Sequence, residues 1–128
     1  MSADMTRVLI IDDELEFAET LAERLSLRSF EAHVAGSAEE AMEKLRGGLK
    51  PEVVILDLKM PGLSGIETLG LLKAHDPALE VILLTGHGST QSGIEGMKRG
   101  LFDYIIKPVE LGVLMDKIRE AAKKTSAN

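Results

Sequence analysis

The chain has 128 residues, 45% of them hydrophobic and 28% charged, with a formal net charge of -6 and no cysteine. That length fits one compact domain able to bury roughly two thirds of its unfolded surface, and the composition is that of an ordinary globule rather than a disordered chain. The acidity excludes a basic face that tracks nucleic-acid phosphates, the missing cysteines exclude disulfides and thiolate chemistry, and no apolar run reaches the length of a membrane span.

The opening Met1-Ser2-Ala3-Asp4-Met5-Thr6-Arg7 has no apolar stretch behind its basic residue, so a signal peptide is not expected and a cytoplasmic location is the default. The first strand is predicted at 6–11, where Val8-Leu9-Ile10-Ile11 runs into Asp12-Asp13. Phe17, Leu21 and Leu25 then recur at helical spacing and predict an amphipathic first helix. A second strand follows at 31–35. Ser37-x-x-Glu40 reads as a capping box for a helix carrying Ala38, Ala41, Met42 and Leu45, which Gly47-Gly48 and Pro51 bring to an end.

The third strand, at 52–56, ends in Asp57, and Pro61-Gly62 marks a turn beyond it. Ser64-x-x-Glu67 repeats the capping pattern, and Asp76-Pro77 stops the third helix. The fourth strand, at 80–84, runs into Thr85. The helix after it contains Gly93 and Gly96, each costing roughly 1 kcal/mol relative to Ala in a helix interior, so it is expected to be marginal. The fifth strand, at 102–106, closes on Lys107-Pro108. Leu111, Leu114, Met115, Ile118 and Ala122 define the last helix, and the polar end from Lys123 to Asn128 is expected to fray. One domain over 1–128, with a folded core at about 5–123, accounts for every segment.

Apolar runs alternating with amphipathic stretches are the pattern of an α/β sandwich, a parallel sheet covered by helices on both faces. In such a sheet the carboxyl ends of the strands share one rim. Asp12, Asp13, Asp57, Thr85 and Lys107 then gather at one place although they are far apart in sequence. Two carboxylates about 4 Å apart repel by roughly 4 kcal/mol at an effective dielectric near 20, so grouped acids call for a cation. Mg²⁺ takes carboxylates, waters and phosphate oxygens, and Lys107 adds a fixed positive charge. A carboxylate can itself attack phosphorus, and phosphoryl transfer asks mainly for positioning and charge neutralisation. Asp57 is the best-placed nucleophile, with Thr85 as a hydroxyl donor.

Taken singly, each residue has a plainer role. Asp13 with Glu16 suits a helix start, Asp57 a strand-to-loop junction, Thr85 a turn, and Tyr104 a half-buried sheet position. Their convergence at one end of successive strands is what structural needs do not predict. His33, His75 and His87 lack metal-ligand spacing and read as surface or loop residues.

The stretches Ile11-Asp12-Asp13-Glu14, Leu56-Asp57-Leu58-Lys59-Met60-Pro61-Gly62, Leu84-Thr85-Gly86-His87-Gly88 and Phe102-Asp103-Tyr104-Ile105-Ile106-Lys107-Pro108 resemble, in order and spacing, the receiver domain of two-component response regulators. The resemblance covers nearly the whole chain. It implies a flavodoxin-like fold with strand order 2-1-3-4-5, an order for which the chemotaxis receiver is a standard example. It further implies that Asp57 is the phosphoacceptor and that Asp13, Asp57 and the Lys59 carbonyl hold Mg²⁺ or Mn²⁺, with Asp12 acting through water. Lys107 would pair with phosphoryl oxygens, the Lys107-Pro108 peptide would be cis, and Thr85 and Tyr104 would switch the face formed by the fourth helix, fifth strand and fifth helix. His87 and Lys59 would border the phosphoryl group and set its lifetime.

The partners so implied are a histidine kinase or histidine phosphotransfer protein, an output partner of unspecified kind, and a second copy of the chain through the fourth-helix face. Neither direct nucleic-acid binding nor a membrane is implied. The resemblance is greatest to receivers attached to sigma-54-type transcription activators. An aspartate-nucleophile phosphatase needs an acid two places after the nucleophile, where this chain has Lys59, so enzyme activity beyond self-directed phosphoryl transfer and slow autodephosphorylation is not expected. A flavin carrier lacks aromatic residues to stack on the ring, and no P-loop pattern occurs. The remaining rival is a receiver-like interaction module that is never phosphorylated.

Overall fold

The computed structural model describes residues 5–57, 65–86 and 90–126. Strands and helices alternate in the order β1 (Thr6–Ile11), α1 (Leu15–Ser26), β2 (Phe30–Ala35), α2 (Ala38–Arg46), β3 (Val53–Asp57), α3 (Gly65–His75), β4 (Glu80–Thr85), α4 (Thr90–Lys98), β5 (Asp103–Ile106) and α5 (Leu111–Ser126). The strands form one parallel sheet in the order β2-β1-β3-β4-β5, as expected. Each predicted strand lies within one residue of its observed bounds.

Side chains alternate across the sheet and divide the core in two. Val8, Ile10, Val53, Ile55, Ile82, Leu84 and Ile105 face α1 and α5, where Ala18, Leu21, Leu25, Leu114 and Ile118 meet them. Leu9, Ile11, Val54, Leu56, Val81 and Leu83 face the other way, toward Met42, Leu45, Leu69 and Leu72 of α2 and α3. Strands buried on both faces explain the unbroken apolar runs in the sequence. Truncating one of the fully buried leucines, such as Leu9 or Leu56, would cost about 2 to 5 kcal/mol.

The local signals act through identifiable atoms. Ser37 Oγ accepts the Glu40 N–H at 3.0 Å, while Glu40 Oε1 accepts the N–H of Gly36 at 2.9 Å, one residue earlier than a standard capping box would place it. Past α2, Gly48 takes φ +113°, the left-handed conformation that suits glycine. Asp76 follows the end of α3 and accepts the Ala78 N–H on its side chain at 3.0 Å.

Two expectations change and a third gains detail. Gly96 has a packing reason: an added Cβ would lie 2.9 Å from Leu101 Cδ2. Leu101 N–H also donates to Gly96 O and Gly100 N–H to Met97 O, the paired bonds of a Schellman end, with Gly100 at φ +100°. These bonds give α4 a defined C-terminus. The polar end is helical through Ser126, because the Thr125 hydroxyl lies within 3.3 to 3.4 Å of the carbonyls of Ala121, Ala78 and Glu52 and ties α5 to the lower edge of the sheet. Phe17, grouped with Leu21 and Leu25 from its spacing, is 39% exposed; the buried stripe of α1 is Ala18, Leu21 and Leu25.

Candidate functional site

The strand alternation that sorts the core also sorts the site. Asp57 continues the parity of Val53 and Ile55, and Asp12, one residue past β1, continues that of Val8 and Ile10. Register pairs Ile11 with Leu56, so these two acids are brought side by side at the ends of adjacent central strands. Lys107 shares the parity of Ile105, just beyond β5. Its Nζ donates to Asp57 Oδ2 at 2.5 Å across the end of β4. The Lys107-Pro108 peptide is cis.

Asp12 is 1% exposed and Asp57 2%, an unusual depth for acids. Asp12 Oδ1 accepts the N–H of Glu14 at 2.9 Å, a turn that lifts the chain from β1 toward α1, and the Asp12 N–H continues the ladder to Ala35 O. Asp12 Oδ2 is buried and has no hydrogen-bond partner among the described residues. Burial pushes the Asp12 carboxyl up to about 6; the Glu14 N–H opposes the rise, the neighbouring Asp57 adds to it, and Lys107 pulls it down.

The carboxylates of Asp12, Glu14 and Asp57 offer oxygens within 4.8 Å of one another. Asp13, expected among the metal ligands, is exposed, and the third carboxylate within that span is Glu14. The turn at Asp12, whose side chain accepts the Glu14 N–H, keeps Glu14 close to that acid. Spacing alone could have pointed to Glu14, two residues after Asp12 and just ahead of α1. Lys59 and His87 lie outside the described residues.

Thr85 and Tyr104 have the opposite parity and belong with Leu83 and the α2/α3 side of the sheet. Thr85 is 1% exposed, and its hydroxyl donates to Gly86 O at 3.2 Å, along the loop that leads to α4. Tyr104 is half-buried against the same core cluster. The sequence-predicted residues thus fall into a charged group of Asp12, Asp57 and Lys107 on one face and a Thr85/Tyr104 pair on the other. Phe17 joins the charged group from α1, its ring centroid 5.8 Å from Lys107 Nζ. As for the histidines, His33 pairs with Glu31 at 2.8 Å and His75 is exposed.

Buried acids, an orphaned carboxylate oxygen and an ammonium at the end of a parallel sheet suit a divalent cation and a phosphoryl group. The family model described as the response regulator receiver domain matches residues 8–119. Regulatory protein AtoC of Escherichia coli is 34% identical over 110 residues, 86% of this chain and 24% of its own length. Response regulator protein FleR of Pseudomonas aeruginosa is 34% identical over 116 residues, 91% of this chain and again 24% of its own. The chain thus spans about a quarter of the length of these relatives. Among solved structures, a response regulator receiver domain protein from Clostridium thermocellum superposes with a TM-score of 0.91 at 34% identity, covering 96% of this chain and 98% of that one. With this match in sequence and fold added to the grouped acids and lysine, the chain belongs to the response regulator receiver domains of two-component signal transduction systems.

Proposed function

We propose that the chain is a phosphorylation-activated switch in which Asp57 accepts the phosphoryl group. The observation that carries this reading is the buried Asp57 carboxylate held by Lys107 Nζ at 2.5 Å beside a second buried acid, Asp12. An Asp57 oxygen attacks phosphorus of a phosphohistidine on a kinase or phosphotransfer protein. The P–N bond breaks, its electron pair returns to the imidazole, and an acyl phosphate forms on Asp57. A small acyl phosphate would donate in the same way, releasing its carboxylate.

Asp12, Glu14 and Asp57 fit Mg²⁺ or Mn²⁺: all donors are carboxylate oxygens, and the partnerless Asp12 Oδ2 is a ligand atom in waiting. Bound there, the ion would supply positive charge that offsets the repulsion among the acids and the charge of the incoming phosphoryl oxygens. Asp13, and the Lys59 carbonyl outside the described residues, remain proposed contributors to that shell. Lys107 neutralises phosphoryl oxygens from the other side, a role for which a compact ammonium is suited. The Thr85 hydroxyl needs only to exchange its bond to Gly86 O for one to a phosphoryl oxygen. Tyr104 would follow, and the surface of α4, β5 and α5 would change for an output partner or for a second copy of the chain.

In this reading the chain acts as one domain, with its core at about 5–123 extended by the end of α5, works in the cytoplasm, and turns over no external substrate beyond slow loss of its own phosphoryl group. Incubation with Mg²⁺ and acetyl phosphate, followed by intact mass, tests the acceptor directly. The parent is expected to gain one phosphoryl group and Asp57→Asn none. No gain in the parent, under conditions that preserve acyl phosphates, would favour a module that is never phosphorylated.

A further inference from the structure

Lys107 carries its charge on a flexible four-carbon stem that follows the last strand, so one contact to Asp57 does not by itself fix where the ammonium sits. A second group reaches it. The Phe17 ring stands 5.8 Å from Nζ at its centroid, inside the distance at which an ammonium is attracted to the negative face of an aromatic ring. Lys107 is 22% exposed in its side chain, partly withdrawn from water, which strengthens such an attraction. Phe17 itself is 39% exposed although it precedes a buried stripe, so core packing does not account for a large aromatic there. It also edges a cavity of about 230 Å³ between α1 and the start of α5, lined in addition by Thr20, Leu21, Arg24, Val109 and Leu111. Phe17 is thus the link between that cavity and the ammonium on Asp57.

We infer that Phe17 is a positioning residue: its ring holds the Lys107 ammonium over the Asp57 carboxylate and so sets the rate at which the site takes a phosphoryl group. The rate depends on the acceptor role proposed above for Asp57; the placement of Lys107 does not. Phe17 touches neither phosphorus nor metal. A leucine at this position keeps an apolar side chain of similar reach at the edge of the cavity but has no ring face. Tyrosine and tryptophan keep the face.

The test compares the parent with Phe17→Leu, Phe17→Tyr and Phe17→Trp in two measurements. In proton NMR without Mg²⁺ or phosphodonor, ring current shifts the Lys107 ε-protons upfield in the parent; that shift is expected to vanish in Phe17→Leu and persist in the aromatic variants. In acceptance of phosphate from acetyl phosphate at saturating Mg²⁺, Phe17→Leu is expected to be about two- to five-fold slower, the range of a partly exposed cation–π contact, with Tyr and Trp restoring the rate. Unchanged ε-proton shifts and an unchanged rate in Phe17→Leu would overturn the inference. So would a slowing in Phe17→Leu that neither aromatic variant reverses. A parent that takes up no phosphate would overturn the acceptor reading instead, and the ε-proton shifts would still decide the placement of Lys107.

Discussion

Replacing Asp12 by asparagine separates the chemistry of the acidic site from its folding. The carboxyl sits at about 6 in the folded protein against 3.8 for the unperturbed group, chiefly because burial disfavours its charged form. A group whose folded value is raised contributes stability below its unfolded value and loses that contribution as pH rises through the folded one. For a shift of this size the metal-free parent gives up about 2 kcal/mol between about pH 4.5 and about pH 7.5 through Asp12 alone. The asparagine side chain carries no charge, keeps an oxygen for the Glu14 N–H, and turns a donor toward Asp57 in place of the orphaned Oδ2. In urea titrations with chelator, Asp12→Asn should therefore be more stable than the parent at the higher pH and lose that advantage at the lower one. Mg²⁺ should narrow that advantage, since a ligand at about ten times its Kd adds about 1.4 kcal/mol to a parent that binds it and less to a variant short of one ligand. A stability difference that is flat across pH in chelator would refute the reasoning, because burial of the charge would then not be its source.

Lys107→Met removes the positive charge beside Asp57 and should slow acceptance from acetyl phosphate about 100-fold, as loss of a donor to developing charge does, while tightening Mg²⁺ binding by calorimetry; unchanged acceptance would remove Lys107 from the proposed chemistry. Gly96→Ala forces a Cβ to within 2.9 Å of Leu101 Cδ2, so the usual helix gain should be outweighed and the protein destabilised by about 1 kcal/mol in urea; a stabilised variant would show that Leu101 moves aside freely. Ser37→Ala deletes the acceptor for the Glu40 N–H and should cost about 1 kcal/mol, with faster amide exchange confined to the first turn of α2.

The sheet was legible because its strands are buried on both faces and read as unbroken apolar runs, such as Val53 to Leu56, each closed by a polar residue. Asp12, Asp57 and Lys107 were legible for the same reason: the residue that ends a parallel strand lies on a shared rim whatever its distance in sequence. The nearness of Glu14 to these acids was not, because it depends on a side-chain turn at Asp12, and periodicity says nothing about such a turn. Phe17 was misplaced because a stripe of 17, 21 and 25 and a stripe of 18, 21 and 25 both satisfy helical spacing, and only the position of α1 on the sheet chooses between them. Gly96 read as a weakness in α4, since a glycine kept for close approach to Leu101 looks in sequence like one merely tolerated. Thr125 looked like a disordered end because its hydrogen-bonding carbonyls belong to Glu52 and Ala78, remote in the chain.

The opposite parities of Asp57 and Thr85 have a consequence for how such a protein can diversify. Ionic groups occupy one side of a layer a single chain thick, and Thr85 and Tyr104 occupy the reverse. If the proposed switch holds, substitutions around Tyr104 can retarget what the molecule recognises while the acids and the amine stay as they are, and a lineage can acquire new listeners without relearning its reaction.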